Sequence, residues 1–152
     1  MEGQLPVFVY GTLRPGQANY RALLAGRTSA ENRGWAERLA MYSLGSFPVA
    51  TPAPSGRIAG HLITLRPRVY RRVLRHLDDL EGYTGDPRTS LYVRRTWPVT
   101  AEHGPTQRAW IYVAGPDIDV AELPPVSTGD WLFRSSGPTR CSREPGRRSA
   151  RR

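Results

Sequence analysis

At 152 residues, 39% hydrophobic and 23% charged, the chain is long enough to bury a core as one domain and too apolar to be read as disordered throughout. No apolar run approaches the ~18 residues of a membrane span, and Met1 to Pro6 shows neither a basic stretch nor a long apolar one, so no membrane, no secretory signal and a cytoplasmic location are expected. The net charge of +9 sits unevenly: from Arg134 onward there are seven arginines against Glu144 alone, which leaves +3 for the chain up to Phe133.

All 22 basic residues are arginine. A composition biased toward Arg, Ala, Gly and Pro accounts for that better than a basic face built for nucleic acid, so no nucleic-acid partner is expected. Cys141 is the single cysteine. It excludes a disulfide framework within the chain and argues against a thiolate metal site.

In chain order, Val7 to Tyr10 is an apolar run of β-branched and aromatic residues ended by Gly11, which predicts a buried strand running into a tight loop. A short helix is expected over 19–24, with Asn19 as N-cap. Ala36 to Leu44 predicts a strand, Gly45 to Pro48 a turn, and Pro52 to Gly56 a loop. Ile58 to Leu65 alternates and predicts another strand. The strongest helix spans Arg66 to Glu81, with Pro67 in its first turn, Gly82 as its stop, and Val69, Val73, Leu77 and Leu80 as its buried stripe. Strands follow near Leu91 to Val99 and Arg108 to Val113, and the apolar pattern ends with Thr128 to Phe133. The expected organisation is one domain over 1–134 and a disordered Arg-rich tail over 135–152. Many strands with two helices indicate an α+β fold with a barrel-like sheet.

Two stretches could carry chemistry. In Tyr10-Gly11-Thr12-Leu13-Arg14-Pro15-Gly16, a strand ends in glycine, and successive backbone N–H groups of such a turn can converge on an anion or a carbonyl oxygen. The Gly-Lys-Ser/Thr ending of a phosphate loop is missing, and an ordinary strand-to-loop turn would read the same. In Leu77-Asp78-Asp79-Leu80-Glu81-Gly82-Tyr83, Glu81 follows Leu77 by four and Val73 by eight, which sets it beside the apolar stripe, whereas Asp79 falls away from it. Burial and the negative end of the helix dipole both raise a carboxyl pKa, as a general acid/base near neutral pH requires. A glutamate bonded to an arginine in the last turn fits the spacing equally well. His61, His76 and His103 show no metal-ligand spacing, and no serine sits in a nucleophile elbow. A carboxylate and a backbone loop are the machinery left, with no metal and no cofactor.

The run Val7 to Gly16, followed in order by Phe47-Pro48, Gly60-His61-Leu62, Leu77 to Tyr83, Tyr92-Val93-Arg94, Ala109 to Tyr112 and Gly129-Asp130-Trp131, resembles the γ-glutamylcyclotransferase-like family over about residues 5–133. It is most similar to the branch of γ-glutamylamine cyclotransferases and the deprotecting cyclotransferase of butirosin biosynthesis. The resemblance implies a mixed β-barrel flanked by helices. It implies a cavity in which Tyr10, Gly11, Thr12 and Leu13 hold a γ-glutamyl or 5-oxoproline group, with Glu81 catalytic and Tyr112 lining the pocket. The implied substrate is a small γ-glutamyl amine, cleaved by attack of its own α-amino group. Glutathione-degrading relatives look more like Gly-Tyr-Gly-Ser at the first motif, which points away from glutathione. A non-catalytic small-ligand-binding module of the same fold is the alternative. Neither the leaving amine nor the oligomeric state can be read from the residues.

Overall fold

A computed structural model describes residues 4–133. The tail expected to be disordered, 135–152, lies outside the described residues. The chain forms β1 (Val7–Val9), α1 (Ala18–Leu23), β2 (Thr28–Ser43), β3 (Pro48–Leu65), α2 (Tyr70–Glu81), β4 (Tyr92–Ala101) and β5 (Thr106–Ala114), with short 3-10 turns before α2, before β4 and after β5.

The strands close into a barrel in the order β1-β3-β2-β4-β5. β1 runs antiparallel to β3, pairing Phe8 with Leu62, and parallel to β5, pairing Val7 with Trp110. That one parallel contact makes the barrel mixed, as expected. The period of two divides each strand between two apolar layers. Phe8, Tyr10, Leu62, Ile111 and Val113 fill the barrel. Val7, Val9, Ile63, Leu65 and Tyr112 face outward, where Tyr70, Val73 and Leu77 of α2 cover them. β1 is therefore buried on both faces, which is why it reads as an unbroken apolar run.

The hairpin β2–β3 departs from expectation in two places. β2 begins at Thr28 rather than Ala36, because residues 29–33 are all exposed and meet β3 through backbone pairing and polar side chains, leaving no apolar alternation to detect. Pro52 to Gly56, expected as a loop, lies within β3. The ladder is nonetheless broken there: Glu37 faces Arg57 and Leu39 faces Pro52, so residues 53–56 have no partner in that register. Arg38 opposite them takes a positive φ of 64°. Prolines are tolerated in this strand because the irregularity needs no N–H from them.

α2 follows a 3-10 turn at Pro67–Val69 and ends on Gly82, whose φ of 72° is left-handed. Tyr83 N–H bonds to Asp78 O at 2.9 Å and Gly82 N–H to Asp79 O at 3.3 Å, which closes the last turn. The buried stripe is Tyr70, Val73 and Leu77. Leu80, expected in it, is 43% exposed. The stripe runs out one turn early because the barrel wall gives way there to a cavity. Among the described residues no helix is long and apolar enough to cross a membrane.

Candidate active site

The cavity has a volume of about 230 Å³ and lies between the end of β1 and the last turn of α2. That is smaller than the ~300–1,000 Å³ of drug-sized pockets and suits a group of amino-acid size. Every site residue read from the sequence lines it: Tyr10, Gly11, Thr12 and Leu13 from β1 and its loop, Glu81 from α2, and Tyr112 from β5. The structure adds Asn19, Phe47, Pro48, Leu80, Leu91 and Tyr92.

Glu81 is the last residue of α2 and is partly buried. Its carboxyl makes no hydrogen bond and no ion pair among the described residues. The reading in which an arginine binds it in the last helical turn is therefore not realised. Burial alone lifts its pKa from 4.5 to about 7. Three tyrosines surround it, and the Glu81 charge helps raise the pKa of each. None of their hydroxyls serves it. Tyr10 Oη donates to Tyr112 O at 2.6 Å and accepts from Ala50 N–H at 3.0 Å. Tyr92 Oη donates to Pro48 O at 2.8 Å. Tyr112 Oη donates to Asp78 Oδ1 at 2.6 Å. With its neighbours' donors taken elsewhere, the carboxylate has nothing to stabilise its charge, and a proton near neutral pH takes that place.

Tyr10 and Tyr112 are 6% and 3% exposed, so they form the cavity wall through their rings, while the Tyr10 hydroxyl joins β3 to β5 and the Tyr112 hydroxyl joins β5 to α2. Asp78 was not among the residues singled out from the sequence. It accepts from Tyr112 and pairs with Arg94 Nε at 2.9 Å, and Arg94 in turn lies over the Trp110 ring at 4.3 Å. The signal that could have found it is Leu74, one helical turn earlier and packed on the outer apolar layer. Asp79 is exposed, as its helical phase requires.

The loop after β1 is held from two sides. Gly11 has no positive φ; its lack of a Cβ matters because one would sit 2.7 Å from Pro48 Cγ. Asn19 does not cap α1, whose N-cap is Gln17 without a side-chain bond. Inside the first turn, its amide reaches back instead and donates to Thr12 Oγ1 at 2.7 Å. The backbone N–H groups of Gly11, Thr12 and Leu13 donate to no partner among the described residues. Behind the loop, fully buried Arg14 pairs with Asp130 Oδ1 at 2.7 Å and donates from Nε to His61 Nδ1 at 3.1 Å. Burial first, and the Arg14 charge second, lower the His61 pKa to about 4, which keeps it a neutral acceptor. His76 and His103 are exposed.

No group of three or more His, Cys, Asp or Glu among the described residues could hold a metal ion. The arrangement supplies one carboxyl able to exchange protons at neutral pH, a run of free backbone donors, and a largely apolar wall.

Residues 7–133 match the model of the family described as γ-glutamyl cyclotransferase, AIG2-like. No curated protein matches the chain. Among solved structures, an AIG2-like protein from Mus musculus is 23% identical, with a TM-score of 0.60 over 80% of this chain and 84% of that one. Protein YtfP from Escherichia coli is 25% identical, with a TM-score of 0.59 over 85% of this chain and 97% of that one. A structure described as a γ-glutamyl cyclotransferase is 16% identical, with a TM-score of 0.54 over 80% and 70%. These likenesses carry the fold.

Proposed function

The chain belongs to the γ-glutamyl cyclotransferase, AIG2-like family, and from that premise we propose that it cleaves a γ-glutamyl amide to 5-oxoproline and a free amine. The observation that carries the reading is Glu81: a carboxyl without a partner, held near neutral pKa, in a small cavity beside the unpartnered N–H groups of Gly11, Thr12 and Leu13.

The substrate brings both reactants. Its α-amino nitrogen attacks its own γ-carbonyl, forming the ring C–N bond, and the amide C–N bond to the leaving amine breaks. A site that folds the glutamyl chain into ring geometry gains the high effective molarity of an intramolecular reaction. Ionised Glu81 takes the proton that the α-amino nitrogen loses, then returns it to the departing amine. The free N–H groups of the loop bind the glutamyl group, and one of them stabilises the oxyanion of the tetrahedral intermediate. Water is not consumed.

The test is direct. The purified chain is incubated with γ-glutamyl amides and 5-oxoproline is quantified. Release that disappears in folded Glu81→Gln supports the reading. A protein that binds 5-oxoproline tightly but releases none from any amide would be a binding module instead.

A further inference from the structure

Among the described residues few large apolar side chains are left in water, and most of them gather in one place. Of the five exposed ones among the described residues, Phe47, Leu80 and Leu91 all line the same cavity, at 41%, 43% and 49% exposure. They come from three separate places in the chain: the β2–β3 turn, the last turn of α2, and the residue before β4. Leu91 is held by its backbone, whose N–H bonds to Gly82 O at 3.0 Å. An apolar patch that rims a polar site marks what the site receives.

The lining divides by polarity. Its polar groups are Thr12, Asn19, Glu81 and the free N–H groups of the loop, which suit the α-amino and α-carboxylate groups of a glutamyl unit. Glu81 is the one acidic side chain among the lining residues, and no basic one is among them. A substituent reaching out past the γ-carbonyl therefore meets Phe47, Leu80 and Leu91 and no counter-charge. A second ammonium or carboxylate on the leaving amine would lose hydration without compensation. An alkyl or aryl group would instead bury its own apolar surface together with that of the rim.

On the cyclotransferase reading, we propose that the amine released is an apolar alkyl- or arylamine with no second charged group, rather than an amino acid, a peptide or a polyamine. The rim selects the leaving group and the loop selects the glutamyl end.

The experiment uses the full chain and measures kcat/KM for 5-oxoproline release from γ-glutamyl-isobutylamide, γ-glutamyl-anilide, γ-glutamyl-putrescine, Nε-γ-glutamyl-lysine and glutathione. The first two should exceed the other three by at least ~10-fold, the discrimination that one or two buried methylenes supply. Leu91→Ser, which keeps the Cβ and the backbone bond, should lower kcat/KM for the two apolar amides several-fold. Its affinity for 5-oxoproline, which lacks the amine, should be unchanged by calorimetry. Equal or better turnover of a charged amide overturns this inference and leaves the cyclotransferase reading standing. So does a Leu91→Ser protein with unaltered turnover. Absence of 5-oxoproline from all five amides overturns the cyclotransferase reading, and this inference with it.

Discussion

The hydroxyl of Tyr112 donates to Asp78 at 2.6 Å, and the backbone oxygen of the same Tyr112 accepts from Tyr10 at 2.6 Å. One residue of β5 thereby ties the helix that carries Glu81 to the strand that carries the loop. Glu81 lies three residues beyond Asp78, so the Asp78–Tyr112 bond anchors the last turn of the helix, the turn that carries the carboxyl.

Tyr112→Phe tests that tie. The ring stays and the hydroxyl goes, leaving Asp78 with Arg94 as its remaining partner. Loss of a buried bond to a charged acceptor should cost about 1.5–3 kcal/mol in urea denaturation. Turnover should fall through kcat more than KM, because the carboxyl is displaced while the loop is not. A variant as stable as the parent would show that the bond holds nothing in place.

Gly11 and Pro48 make a second tie, by contact rather than by hydrogen bond. A Cβ on Gly11 would stand 2.7 Å from Cγ and 2.8 Å from Cδ of Pro48. Gly11→Ala should therefore destabilise by about 1–3 kcal/mol, as overpacking does. Pro48→Ala removes both offending atoms, so the double variant should recover much of that loss. A double-mutant cycle that comes out additive would place the cost elsewhere.

What could be read from the sequence follows where side chains are buried. β1 is apolar without interruption because both its faces are buried, α2 buries its apolar residues at a regular period, and Glu81 could be placed because it stands one turn from Leu77. The first half of β2 and residues 53–56 of β3 turn their side chains to solvent, and backbone pairing leaves no trace in an apolar pattern. Asn19 has the residue type of an N-cap but sits inside the helix, where its bond to Thr12 depends on how the loop folds back. Leu80 follows the helical period of the stripe, yet its exposure depends on a cavity assembled from β1, β4 and the β2–β3 turn. Asp78 stands beside more conspicuous acids, and its partners Tyr112 and Arg94 are distant in sequence.

Arg14 and Asp130 join the loop to the end of the described chain. The arginine side chain is fully buried, and its Nη2 has no partner among the described residues. Such a pair repays its desolvation poorly, but removing one member strands the other. Asp130→Ala should therefore destabilise by about 3–5 kcal/mol. Replacing both, as Arg14→Met with Asp130→Leu, should be milder than Asp130→Ala alone. Calorimetric melting of the three proteins decides it: a double variant worse than the single one would show that the charges stabilise the fold outright.

The last prediction concerns Glu81 and joins stability to catalysis. Burial raises its pKa from 4.5 to about 7. Between those values the folded protein holds a proton that the unfolded chain has released, so the folded state binds more protons and stability falls as pH rises. The decline should begin near pH 4.5, be complete somewhat above pH 7, and amount to at most about 3 kcal/mol, at ~1.4 kcal/mol per pH unit. Glu81→Gln cannot titrate. It should match the parent near pH 4.5 and exceed it in stability at pH 8, the reverse of what loss of a structural ion pair would do. Activity should move the opposite way. The parent's kcat/KM should climb through pH 7 as the carboxylate forms, and Glu81→Gln should lose that limb with at least ~10²-fold of the rate. Asp79→Asn, altered on the exposed face of the same turn, should change neither curve. Denaturation and 5-oxoproline release across pH 4.5 to 8, on the three proteins, read both effects. A folded Glu81→Gln that keeps its turnover, or an Asp79→Asn that loses it, would remove Glu81 from the reaction. A Glu81→Gln that is less stable than the parent at pH 8 would show that the carboxylate has a partner after all.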